Sequence, residues 1–94
     1  MSTELDPVIH SPVRLRLLGL LNAVDSLEFG LARDELGVSD STLSQAAAAL
    51  EQAGYLRPTK RRVGRSTKTW LSLTDDGLVA LRAYVAAIHE ITGL

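Results

Sequence analysis

With 94 residues and no cysteine, the chain suits one domain that has neither a disulfide framework nor a thiolate metal site. Its 46% hydrophobic content is ample for a core, and at this length folding should bury roughly 60% or slightly more of the unfolded surface. The net charge of -1 conceals a sorting of charge: six of the ten basic residues fall between Arg57 and Lys68, and no acidic residue occurs from Gln52 to Thr74.

The acidic start, Met1 to Pro7, lacks the positive stretch and apolar run of a secretory signal. No apolar run approaches the roughly 18 to 20 residues that span a bilayer. A soluble, cytoplasmic chain with no membrane partner is therefore expected.

Ser11-Pro12 predicts a helix start, with serine as N-cap and proline at the first helical position. The helix should run to about Val24, because Val13, Leu17, Leu20, Leu21 and Val24 recur at spacings of three and four. Leu15 and Leu18 widen that stripe. A shorter helix follows from about Phe29 to Leu36, with Phe29, Ala32 and Leu36 inward and Gly37 at its left-handed end. Ser39 caps a third helix to about Ala53, with Leu43, Ala47 and Leu50 inward and Gly54 ending it. Two helices joined by three residues, glycine first, make a helix-turn-helix.

From Tyr55 the period changes to two. Tyr55 to Lys60 reads as an edge strand tolerant of Pro58, and Thr67 to Leu73 as a second strand. Residues Arg61 to Ser66 are the loop between them. Thr74 caps a last helix to about Ile91, with Asp75 and Asp76 in its first turn, where they favour the helix dipole. The predicted fold class is mainly α with a small β-hairpin, in the order α-α-α-β-β-α: a single winged-helix domain over residues 1–94.

Three stretches carry a family resemblance: Leu36-Gly37-Val38-Ser39-Asp40-Ser41-Thr42-Leu43-Ser44, Leu50-Glu51-Gln52-Ala53-Gly54-Tyr55-Leu56 and Leu73-Thr74-Asp75-Asp76-Gly77. Together the chain resembles the small winged helix-turn-helix transcriptional regulators related to the MarR and ArsR families, over roughly Ile9 to Ile91. The resemblance implies a DNA-binding regulator whose third helix enters the major groove of double-stranded DNA.

Outward positions on that helix are Ser41, Ser44, Gln45, Ala48 and Gln52, with Thr42 at the margin. Gln45 is the candidate for base readout, because its amide can pair bidentately with adenine. Ser39, Ser41, Thr42 and Ser44 are candidates for phosphate or base contact, although hydroxyls here equally serve to cap the helix. The run Ala46 to Ala49 departs from the pattern of those families, whose members usually carry a longer polar or basic residue somewhere in this stretch, and it predicts few base-specific contacts. The hairpin offers more charge, with Arg61, Arg62 and Arg65 at its tip and Lys60 and Lys68 on its strands. Guanidinium groups suit phosphates and narrow minor grooves.

In the last helix Leu78, Leu81, Val85 and Ile88 follow the spacing of a helix-pair seam, and Val79, Ala83, Ala86, Ala87 and Ile91 extend the apolar surface. A two-fold homodimer built on this helix, the first helix and the N-terminal arm is expected. Trp70 should pack against that arm or the partner subunit. No residue sets up a nucleophile beside a base, so neither an enzyme nor a cofactor is expected. His10 and His89 with Asp6 and Glu90 do not form a recognised metal-ligand pattern. A small-molecule effector pocket between the first helix, the last helix and the base of the wing remains open. The expected function is a homodimeric repressor on a pseudo-palindromic operator. The alternative is a winged-helix module that binds a protein through the same surface.

Overall fold

A computed structural model describes residues 4–94. Helix α1 spans Pro12–Asn22, α2 Phe29–Leu36, α3 Asp40–Gln52 and α4 Asp75–Thr92; strand β1 spans Leu27–Glu28, β2 Leu56–Val63 and β3 Ser66–Leu73. The strands form one antiparallel sheet in the order β1-β3-β2. This is the winged helix fold, with one element beyond expectation: the two-residue β1, which pairs Leu27 with Leu71 and Glu28 with Trp70. Two residues are too few for an alternating pattern to register.

The ends of α1 and of the hairpin also differ from the pattern. Helix α1 stops at Asn22 rather than near Val24, and Val24 is left exposed. The chain must leave the helix there to lay Leu27 beside β3. The predicted loop contracts to a two-residue turn, because Arg61, Arg62 and Val63 extend β2 and pair with Lys68, Thr67 and Ser66. Gly64 sits at φ 62° as the first central residue of that turn, and Arg65 has negative φ. These are the signs of a type II′ turn, which needs glycine at that position.

The core is drawn from every helix and from the sheet: Ile9, then Leu17, Leu18 and Leu21 of α1, Ala32 and Leu36 of α2, Leu43, Ala46 and Leu50 of α3, Leu56 and Leu71, and Leu81 and Tyr84 of α4. No polar or charged residue is buried among the described residues. Each fully buried leucine contributes about 1.5–3 kcal/mol relative to exposure. On α3 the most buried alanine is Ala46, with Ala47 only half-buried, so the inward face is turned slightly from the predicted one.

Candidate nucleic-acid interface

The helix-turn-helix is held by its caps, and one exposed arginine spans its two helices. Gly37 adopts φ 67° and the Val38 amide donates back to the Arg33 carbonyl, ending α2 sharply. Ser39 then caps α3, its Oγ accepting from the Thr42 amide at 3.1 Å and donating to Thr42 Oγ1 at 3.0 Å. Arg33 bridges the two helices, with Nη1 donating to Asp40 at 2.8 Å and Nε to Asp34 at 3.0 Å. Asp40 and then Asp34 hold the guanidinium protonated even more firmly than usual.

The candidate side chains on α3 fall into two groups. Ser41, Ser44 and Gln45 are exposed and have no side-chain partner among the described residues, so their polar groups face solvent. Ser39 and Thr42 are engaged with each other in the cap, and Thr42 is half-buried. Ala48 is exposed beside Ser44 and Gln45, leaving the middle of the outward face without a hydrogen-bonding group.

Strand register sorts the basic residues of the wing. Cross-strand partners share a face of the sheet. Leu56 with Leu73 and Pro58 with Leu71 are on the face against α3, where Ser44, Ala47 and Glu51 meet the sheet around a shallow hollow. The same face continues outward through Lys60 with Thr69 and Arg62 with Thr67. Arg57, Arg61 and Lys68 lie on the opposite face with Trp70, and Arg65 is in the turn. Among the described residues the ion pairs are Arg33 with Asp34 and Arg33 with Asp40, so no carboxylate neutralises the wing. Arg61 lies over Trp70, its guanidinium carbon 4.8 Å from the ring centroid.

The candidate seam on α4 is divided. Leu81 is 7% exposed and belongs to the core, while Leu78 and Ile88 are half-buried and Val85 is 43% exposed. The helix turns Gly77, Leu81, Tyr84 and Ala87 inward. Val79, Ala83, Ala86 and Ile91 remain exposed on the other sides. An open hollow of about 450 Å³ lies between the start of α1 and α4, lined by His10, Leu15, Arg16 and Tyr84, with His10 Nδ1 3.0 Å from Tyr84 Oη. No group of three or more potential metal ligands, and no helix long and apolar enough to cross a membrane, occurs among the described residues.

The profile of the winged helix DNA-binding domain matches residues 13–92. The chain belongs to that family. A relative of this winged helix protein, an uncharacterized protein of Methanocaldococcus jannaschii, is 27% identical over 85 residues, covering 90% of this chain and 92% of its own. The structure of a transcriptional regulator homologue from Pyrococcus horikoshii superimposes with a TM-score of 0.86 at 20% identity, over 92% of this chain and 85% of that one, a likeness of fold. The transcriptional regulator PcaV of Streptomyces coelicolor, solved with its natural ligand, gives a TM-score of 0.78 at 25% identity over 96% of this chain. The chain spans 62% of that regulator's length. The likeness to MarR-type winged helix-turn-helix regulators therefore holds for the fold as well as the motifs.

Arg33, Asp40 and the Arg61–Trp70 contact were not legible from periodicity. The first two are seven positions apart across a turn, so only the angle between α2 and α3 brings them together.

Proposed function

We propose that the chain is a transcriptional regulator that binds a pseudo-palindromic operator as a homodimer and represses by occupying it. What carries this reading is the un-neutralised cationic wing beside the exposed polar edge of α3. Ser41, Ser44 and Gln45 are the candidate contacts in the major groove, with Gln45 reading adenine. Ser39 and Thr42 set the helix end for them. Lys60 and Arg62, on the α3 side of the sheet, and Arg65 at the turn meet phosphates or the adjoining minor groove. Arg61 and Lys68 add charge from the other face.

Two-fold pairing through α4 would set two recognition helices about 34 Å apart. Leu81 serves the core of its own subunit, so the pairing surface is Val79, Ala83, Val85 and Ala86 with the margins of Leu78 and Ile88. An effector seated in the hollow beside His10 and Tyr84 would bear on both α1 and α4. The ligand in the PcaV complex shows that a similar protein takes a small molecule.

A gel shift against the gene's own upstream DNA, with the triple variant R61A, R62A and R65A beside the wild type, tests the DNA reading. Six to eight phosphates neutralised per dimer predict a log-log salt slope of roughly -5 to -7, reduced in the variant. A nearly flat salt dependence removes the wing as the main contact. Absence of binding by either protein favours a protein partner, for which the bare alanines of α3 are suited.

A further inference from the structure

An open hollow of about 390 Å³ separates the helix-turn-helix from β3. Arg33 and Asp40 line one wall, and Thr67, Lys68 and Thr69 the other. Strand β1 covers the edge of β3 only at Trp70 and Leu71, so among the described residues no strand lies beside that edge from Ser66 to Thr69. Among the described residues the Lys68 ammonium and the hydroxyls of Thr67 and Thr69 have no partner. The remaining carboxylate in the hollow, Glu28, is turned to the Gly30 amide, which it caps.

Arg33 is engaged, but weakly. Its partner Asp40 is 70% exposed, and an ion pair so open to water contributes little and exchanges readily. A phosphate presents the same forked acceptor to a guanidinium as a carboxylate does. A duplex that takes α3 into its major groove and meets the wing at the adjoining minor groove carries one backbone strand across the gap between those elements. This hollow opens between the start of α3 and the outer part of β3.

Resting on the DNA-binding reading, we infer that the hollow seats a backbone phosphate between Arg33 and Lys68, and that Asp40 occupies the Arg33 fork until the phosphate displaces it. Asp40 is thus a built-in competitor of DNA. Thr67 and Thr69 supply hydroxyl donors from the α3 side of β3, and Lys68, based on the other face, reaches the same phosphate around the strand's open edge.

The test is a salt titration of binding to a random-sequence duplex, using the full chain. D40N keeps the side-chain shape and takes the carboxylate off Arg33 Nη1, leaving Asp34 on Nε, so it should bind roughly threefold to tenfold more tightly at low salt. R33A should bind more weakly, with a salt slope shallower by about one. A clamp that only holds α2 against α3 would make both variants weaker, since either one breaks it. Opposite signs, with the D40N gain lost in an R33A background, support the phosphate seat; parallel or fully additive responses, which charge alone would give, overturn it. Thermal melts of both variants confirm that each is folded. A wild type that binds duplex normally beside two indifferent variants overturns the seat alone. A wild type that binds no duplex at all removes the seat together with the DNA-binding reading.

Discussion

The carbonyl oxygen of Tyr55 stands where a side chain on Gly77 would have to be: a Cβ built on Gly77 would come within 2.1 Å of it. Around that approach the Thr74 amide donates to Tyr55 O at 3.1 Å, and Thr74 Oγ1 donates to Gly54 O at 2.6 Å while accepting from the Gly77 amide at 2.9 Å. The turn after α3 and the start of α4 are therefore one joint. It explains why Leu-Glu-x-Ala-Gly-Tyr and Leu-Thr-x-x-Gly occur together in this chain, about twenty residues apart. It also fixes the base of the wing, because β2 and β3 leave and return through it.

Gly77→Ala should destabilise the fold by about 3 kcal/mol, the upper end for overpacking, since the obstructing atom is backbone. Gly19, in the exposed interior of α1, has nothing within 4 Å of a built Cβ. Gly19→Ala should therefore stabilise by about 0.5–1 kcal/mol. Urea melts of the two variants, moving in opposite directions, check the joint.

The Tyr55 hydroxyl donates to Asp6 Oδ2 at 2.5 Å, and this hydrogen bond, aided by partial burial and the carboxylate's charge, raises the phenol above its ordinary value. The folded state thus favours the protonated phenol. Its contribution is complete below about pH 10, the unfolded value, and disappears as pH rises through the raised folded value. Tyr55→Phe should cost about 1 kcal/mol at pH 7. The gap to wild type should narrow above pH 10, and stability curves that stay parallel to pH 11 would contradict the assignment.

Leu81 and its exposed neighbours should separate folding from assembly. Leu81→Ala removes core volume and should cost about 2–4 kcal/mol. Val79→Glu with Val85→Glu should change monomer stability by no more than about 1 kcal/mol, yet leave only monomer in sedimentation. Wild-type chain that is already monomeric at micromolar concentration would refute the dimer.

Trp70 is the sole tryptophan, and Arg61 covers it. Arg61→Ala should shift its emission to the red, since the ring becomes more exposed to water. Trp70→Leu should weaken DNA binding by about 0.5–1 kcal/mol, by releasing the arginine. The double variant should lose no more than Arg61→Ala does. Fully additive losses would show that the stacking does not position the guanidinium.

Helix periods, the caps at Ser39 and Thr74 and the glycine turns are local, so they are readable along the chain; Ser11 precedes α1 without a side-chain cap, and Glu28 caps α2 in a way no pattern announces. Leu43 and Leu50 set the face of α3, Gly37 and Ser39 set the helix-turn-helix, and the change to a period of two at Tyr55 announces the wing. Charge sorting between Arg57 and Lys68 is equally a property of order, and by itself it points to a polyanion. What strand register and packing added is the division of those cations: Lys60 and Arg62 share the face of the sheet that α3 covers, and Arg61 shares the other with Trp70. A pattern of alternation says that neighbours oppose each other, but only pairing to a second strand says which set meets a helix. The same limit governs α4, where an apolar surface all round encodes no inward direction and only packing puts Leu81 and Tyr84 against the core. Contacts such as Arg33 with Asp40 depend on the angle between two elements, which no spacing along one of them encodes.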